Sequence, residues 1–153
     1  MLVSTRLCAS VLFLVVTLAG PPASYVTQTK TADPGMASMT STLSGVFSAE
    51  QATRGEATYM NICVSCHPAG TYTTPAFRAT WNGRPLSELF DFVKEKMPKN
   101  DPGTLTPDEY IQVVVYLLKI NGADAGKTDL PADSEALKKY RIDMSSTNNG
   151  RGQ

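Results

Sequence analysis

Cys63-Val64-Ser65-Cys66-His67 is the stretch of this chain whose residue types and spacing carry chemistry. Two thiols three positions apart, followed at once by an imidazole, form the Cys-x-x-Cys-His attachment motif of a c-type haem. Two thiols on one short turn reach the two vinyl groups of a single porphyrin and form thioethers. The next residue then has its imidazole directly below the iron. His67 is the chain's only histidine, so an imidazole ligand, if there is one, is this residue. A Cys-x-x-Cys pair also serves as a disulfide, a thioredoxin-like redox pair or half of a zinc site. Zinc wants four ligands, and Cys8 is the one cysteine outside the motif, in a segment read below as removed. A thioredoxin-like pair wants a βαβ setting, and no such pattern follows. The expectation is one covalently attached haem c, with its iron, on Cys63 and Cys66.

Ligation by His67 leaves a sixth position on the iron. A thioether there is soft and neutral, favours ferrous iron and raises the potential, which suits electron transfer. Past the first residue, the methionines are Met36, Met39, Met60, Met97 and Met144. Met36 and Met39 stand in a polar stretch, Met144 in a polar tail, and Met60 three residues before Cys63, where packing is its reading. Met97 follows His67 by thirty residues, between two expected helices, and is held by Pro98. It either ligates the iron or closes the apolar stripe begun by Leu86. With a haem in place, ligation is preferred.

The elements that must position these residues can be read in order. Ser48-Ala49-Glu50-Gln51 fits a capping box, with Phe47 as the outer half of a hydrophobic staple. A helix follows toward Cys63, with Ala52, Gly55, Tyr59 and Ile62 on one face. Glycine inside a helix costs stability. Close approach of a second helix, through Tyr110 or Val114, is the reason expected for Gly55. Pro68 to Arg84 reads as a loop around the haem's proximal edge. Within it, Pro75 either offers a carbonyl to the second ring nitrogen of His67 or rigidifies a turn. Trp81 and Arg84 either donate to haem propionates or serve as a core ring and a solvated side chain.

Pro85 to Lys96 reads as an amphipathic helix, with Leu86, Leu89, Phe90 and Val93 at helical spacing. Thr106-Pro107-Asp108-Glu109 is a capping box with proline at the first helical position, and Asn121-Gly122 stops that helix. Pro131 to Arg141 adds a short amphipathic turn or helix using Leu137 and Tyr140.

At the N-terminus, the apolar run from Leu7 to Ala19 is short for a membrane span and is followed by small residues. Residues 1–24 therefore read as an export signal, cut after Ala19 or near Ala23-Ser24, in preference to an uncleaved anchor. Residues 25–46 are a Thr/Ser-rich spacer, residues 47–142 the folded domain, and residues 143–153 a disordered tail. Loss of the signal leaves only the two motif cysteines. Haem is joined to such proteins outside the cytoplasm, so export and attachment agree.

The 153 residues allow one domain, and 14 basic and 14 acidic residues give a formal net charge of zero. No block of like charge points to nucleic acid, and no basic amphipathic segment points to a membrane surface. With 10 prolines and 11 glycines the core is small, and a large apolar plate such as haem helps to complete it.

These motifs resemble the class I cytochromes c of the bacterial periplasmic type. The resemblance rests on Phe47 to Gly55, Tyr59, Cys63 to His67, Trp81 to Leu86, Lys96-Met97-Pro98, Pro102 to Thr106 and Tyr110 to Gly122. It covers residues 47–142 and is nearest the small cytochrome c domains that accept electrons from quinohaemoprotein dehydrogenases. It implies an all-α fold of about four or five helices enclosing the haem, and first and last helices crossing at Gly55. It also implies His67 and Met97 as axial ligands, and one-electron transfer at an exposed haem edge. The segment between His67 and Pro75 is shorter than the family pattern. An exported electron carrier that transforms no substrate is expected, with a dehydrogenase as donor and an oxidase or other acceptor. The rivals are a subunit of a dehydrogenase or oxidase complex, and a gas-binding or peroxidatic haem protein with an open sixth site.

Overall fold

The computed structural model describes residues 38–145. The export signal expected over residues 1–24 lies outside the described residues, as do Met36 and the end of the tail. Helix α1 is Ala49–Ile62, α2 is Pro75–Trp81, α3 is Leu86–Lys96, α4 is Pro107–Ile120 and α5 is Ser134–Leu137. A strand β1, Thr40–Ser41, pairs in parallel with β2, Tyr140–Arg141. No helix among the described residues is long and apolar enough to cross a membrane. The fold is the all-α one expected, with five helices among the described residues where four or five were anticipated.

Local chemistry explains where the helices start. Thr106 caps α4 with both halves of the capping box: its N–H donates to Glu109 Oε2 at 2.8 Å, and the Glu109 N–H donates to its hydroxyl at 3.3 Å. The Thr106 N–H and the Thr106 hydroxyl, the latter at 2.9 Å, both donate to the Glu109 carboxyl and hold it below the usual carboxylate range. At α1 only half of the expected box forms. The Ser48 hydroxyl accepts from the Gln51 N–H at 2.9 Å. The buried Gln51 amide turns instead to Leu130, donating to its carbonyl at 2.9 Å and accepting from its N–H at 2.8 Å. A distant backbone pair prevails over the local N-cap because it satisfies both ends of a buried amide.

Helices α1 and α4 cross at Gly55. A Cβ on Gly55 would lie 2.1 Å from the carbonyl oxygen of Gln112 and 3.3 Å from Tyr116 Cβ. The close approach expected for this glycine is present, but it is received by Gln112 and Tyr116, not by Tyr110 or Val114. Two residues along a helix turn the face by about 200°, so those two point the other way. They join the main core with Leu86, Leu89 and Phe90 of α3, capped by Phe47, Leu137 and Ile142.

The stretch Pro68 to Arg84, expected as loop, holds a 3₁₀ turn over Ala69–Thr73 and then α2. Its signal is the same one that marks α4: threonine at the N-cap and proline at the first helical position. The Thr74 hydroxyl accepts from the Phe77 N–H at 3.2 Å.

The domain reaches beyond 47–142 at both ends. Thr42, placed in the spacer, is fully buried, and its hydroxyl donates to the Asp143 carbonyl at 2.8 Å and accepts from the Asp143 N–H at 2.9 Å. Met144, placed in the tail, is buried, and its N–H donates to Asn82 Oδ1 at 2.8 Å. The Asp143 carboxyl is partly buried, which alone would raise its pKa, yet bonds from Arg141 and Ser41 hold it below its ordinary value. Polar composition hid both segments because their order comes from hydrogen bonds, to each other and to Asn82.

Candidate haem site

Between α1, α3 and α4 lies a cavity of about 880 Å³, within the range of ordinary cofactor pockets. Leu89 and Val93 of α3 and Val113 and Leu117 of α4 give it apolar walls, and Tyr72, Phe77 and Trp81 close another side. Cys63, Cys66, His67 and Met97 all line it. Four of the residues singled out by type and spacing thus meet in one place.

The attachment motif is held by its own turn. The Cys63 N–H donates to the Tyr59 carbonyl at 2.8 Å, continuing α1 by one residue. The Cys66 and His67 N–H groups then donate back to the Cys63 carbonyl, at 3.2 and 2.9 Å. Buried Tyr59 donates its hydroxyl to the His67 carbonyl. The Tyr72 ring lies 5.8 Å from the imidazole, and Asn121 at the end of α4 donates to the Tyr72 carbonyl at 2.8 Å. The motif is therefore pinned to both crossing helices. Tyr59 and Tyr72 were not singled out for this in the sequence; an aromatic four residues before the first cysteine is the one signal available.

Met97 ends α3. Its N–H donates to the Val93 carbonyl at 3.0 Å, and its carbonyl accepts from the buried Tyr110 hydroxyl at 2.8 Å. Helix α4 thus fixes the backbone that carries the thioether.

Burial pushes the Cys63 thiol above its ordinary value. Burial first, and then Cys63, also raises the Tyr72 hydroxyl. A redox-active Cys-x-x-Cys pair wants the reverse, a thiol made acidic by neighbouring positive charge. Nor do the two sulfurs and the imidazole gather into a donor set for a bare metal ion among the described residues. Two uncrosslinked thiols at the rim of an apolar cavity, with an imidazole beside them, fit a porphyrin.

The other expected site residues divide. Trp81 is buried and lines the cavity. Pro75 does not line it: it is exposed as the first residue of α2, where its carbonyl belongs to the helix ladder. Arg84 also lies outside the lining, with its guanidinium 4.7 Å above the Trp81 ring and ion-paired to Glu88 one turn on. Of the two readings of Arg84, propionate donor or solvated side chain, the structure shows a half-exposed guanidinium paired with Glu88.

Residues 50–117 match the family described as cytochrome C oxidase, cbb3-type, subunit III. The chain carries a c-type cytochrome domain. It accordingly holds a covalently bound c-type haem with its iron and works in haem-based electron transfer with redox partner proteins, and the class I mono-haem form is consistent with this. No curated protein and no solved structure matches the chain.

Proposed function

We propose that the chain is an exported mono-haem electron carrier in which Cys63 and Cys66 hold the porphyrin and His67 and Met97 are the axial ligands. One observation carries this reading: residues from two segments thirty positions apart, one bearing an imidazole and one a thioether, line a single cavity. Bound haem iron supplies a one-electron couple. The side chains supply the rest. Cys63 and Cys66 tether, Tyr59 and Tyr110 lock the backbone carrying each ligand, and α3 and α4 supply apolar walls. A site whose ligands are fixed beforehand changes little between the two charge states, which is what rapid transfer needs. Among the described residues no Asp or Glu lines the cavity, and the chain has no second histidine, so these residues offer no acid–base pair to cleave a peroxide.

The test is an optical titration of the ferrous protein with carbon monoxide at neutral pH. An unchanged spectrum supports firm six-coordination; ready binding would bring forward the gas-binding or peroxidatic reading. Attachment has its own test. Haem should stay with the polypeptide through acidified-solvent extraction, and should be fully extractable from the Cys63→Ser/Cys66→Ser double variant.

A second reading follows from the matched family, whose description is that of an oxidase subunit. As such a subunit the chain would pass electrons within a complex. Purification from its native source separates the two: the carrier runs alone, and the subunit runs with larger partners.

A further inference from the structure

We propose that Lys99 is the cation that receives a haem propionate, in the role that Arg84 does not fill. A haem bears two carboxylates, and a carboxylate drawn into a partly enclosed apolar site is costly unless paired. Lys99 is the one lysine or arginine among the described residues that line the cavity. Those lining residues include no Asp or Glu to compete for it. It forms no ion pair with another described residue either, whereas Arg54, Arg84, Lys96, Lys119, Lys138 and Arg141 do.

Position along the chain agrees. The polar lining residues Asn61 and Ser65 flank the sulfurs that take the vinyl edge of the macrocycle, and propionates leave from the edge opposite the vinyls. Lys99 and Asn100 come from the other segment, just after Met97. The hydroxyls of Tyr59 and Tyr110 are already given to carbonyls. That leaves Lys99 as the charged donor for this end.

The inference rests on the haem occupying the cavity, as proposed above. It is tested by the reduction potential of the haem-loaded protein. Lys99→Gln removes positive charge beside the porphyrin, which disfavours the less positive ferrous state, so the potential should fall. The fall should exceed that of Lys94→Gln, whose residue lies outside the lining, and Lys99→Arg should restore the original value. Lys99 is exposed, so the contact is read at low ionic strength, about 0.01 M, where the Debye length is about 30 Å, and added salt should shrink the shift. Equal shifts in Lys99→Gln and Lys94→Gln at low salt would overturn the contact. Carbon monoxide separates the two readings: a Lys99→Gln protein that stays inert to the gas but shows no shift refutes the propionate contact and leaves the axial ligation standing.

Discussion

Met97→Ala is expected to turn a protein inert to carbon monoxide into one that binds it stoichiometrically in the ferrous state. The side chain is lost while its backbone anchors remain. The bonds from Met97 N–H to Val93 and from Tyr110 to the Met97 carbonyl do not involve the thioether. The fold should therefore survive, and the change should be local to the iron. Loss of a neutral soft ligand also removes the preference for ferrous iron. The potential should drop by a substantial part of the ~0.8 V range that axial ligands span. Titration and potentiometry on the same sample decide the matter. If the alanine variant stays inert and keeps its potential, Met97 is a wall residue and the ligand is elsewhere.

Gly55→Ala is expected to destabilise the domain severely for the addition of a single methyl group. In an exposed helix this substitution would gain about 1 kcal/mol of helix propensity. Here the new carbon would stand 2.1 Å from the Gln112 carbonyl oxygen, a backbone atom that cannot rotate away. Overpacking against yielding side chains costs typically about 1–3 kcal/mol. Against backbone, a net loss of about 3 kcal/mol is the expected result, at the top of that range, read as a lower denaturation midpoint at unchanged slope. Haem incorporation should fall as well. The end of α1 carries Tyr59 and leads into Cys63, and α4 carries Tyr110 and Val113, so moving the two helices apart opens the cavity between them. A variant within about 0.5 kcal/mol of the parent, the spread of an ordinary surface substitution, would mean that the helices slide apart freely.

Both predictions rest on residues that type and spacing along the chain pick out, but to different depths. Gly55 stands out because glycine inside an otherwise regular helix requires a neighbour. Which neighbour was not legible, because Tyr110/Val114 and Gln112/Tyr116 are equally good helical pairs on different faces of α4. The choice depends on how α4 rotates to bury Tyr110 and Val114 against α3. Arg84 shows the same limit: a guanidinium four residues before a glutamate is a helix ion pair or a ligand donor, and the local partner prevailed. The missed helix α2 was a different matter, since Thr74-Pro75 carried its start signal in plain view.

What the sequence determined by itself is the chemistry that depends on spacing along the chain: the Cys63-x-x-Cys66-His67 turn, the apolar periods of α3 and α4, and the capped start of α4. These are properties of a few consecutive residues, so local geometry settles them. Tertiary structure alone decided that Met97, thirty residues from His67, lines the same cavity. It alone drew Thr42 and Met144 into the fold and left Lys99, not Arg84, lining the cavity. Each of those facts depends on which surfaces of distant elements are buried together, and that follows from packing the whole chain at once.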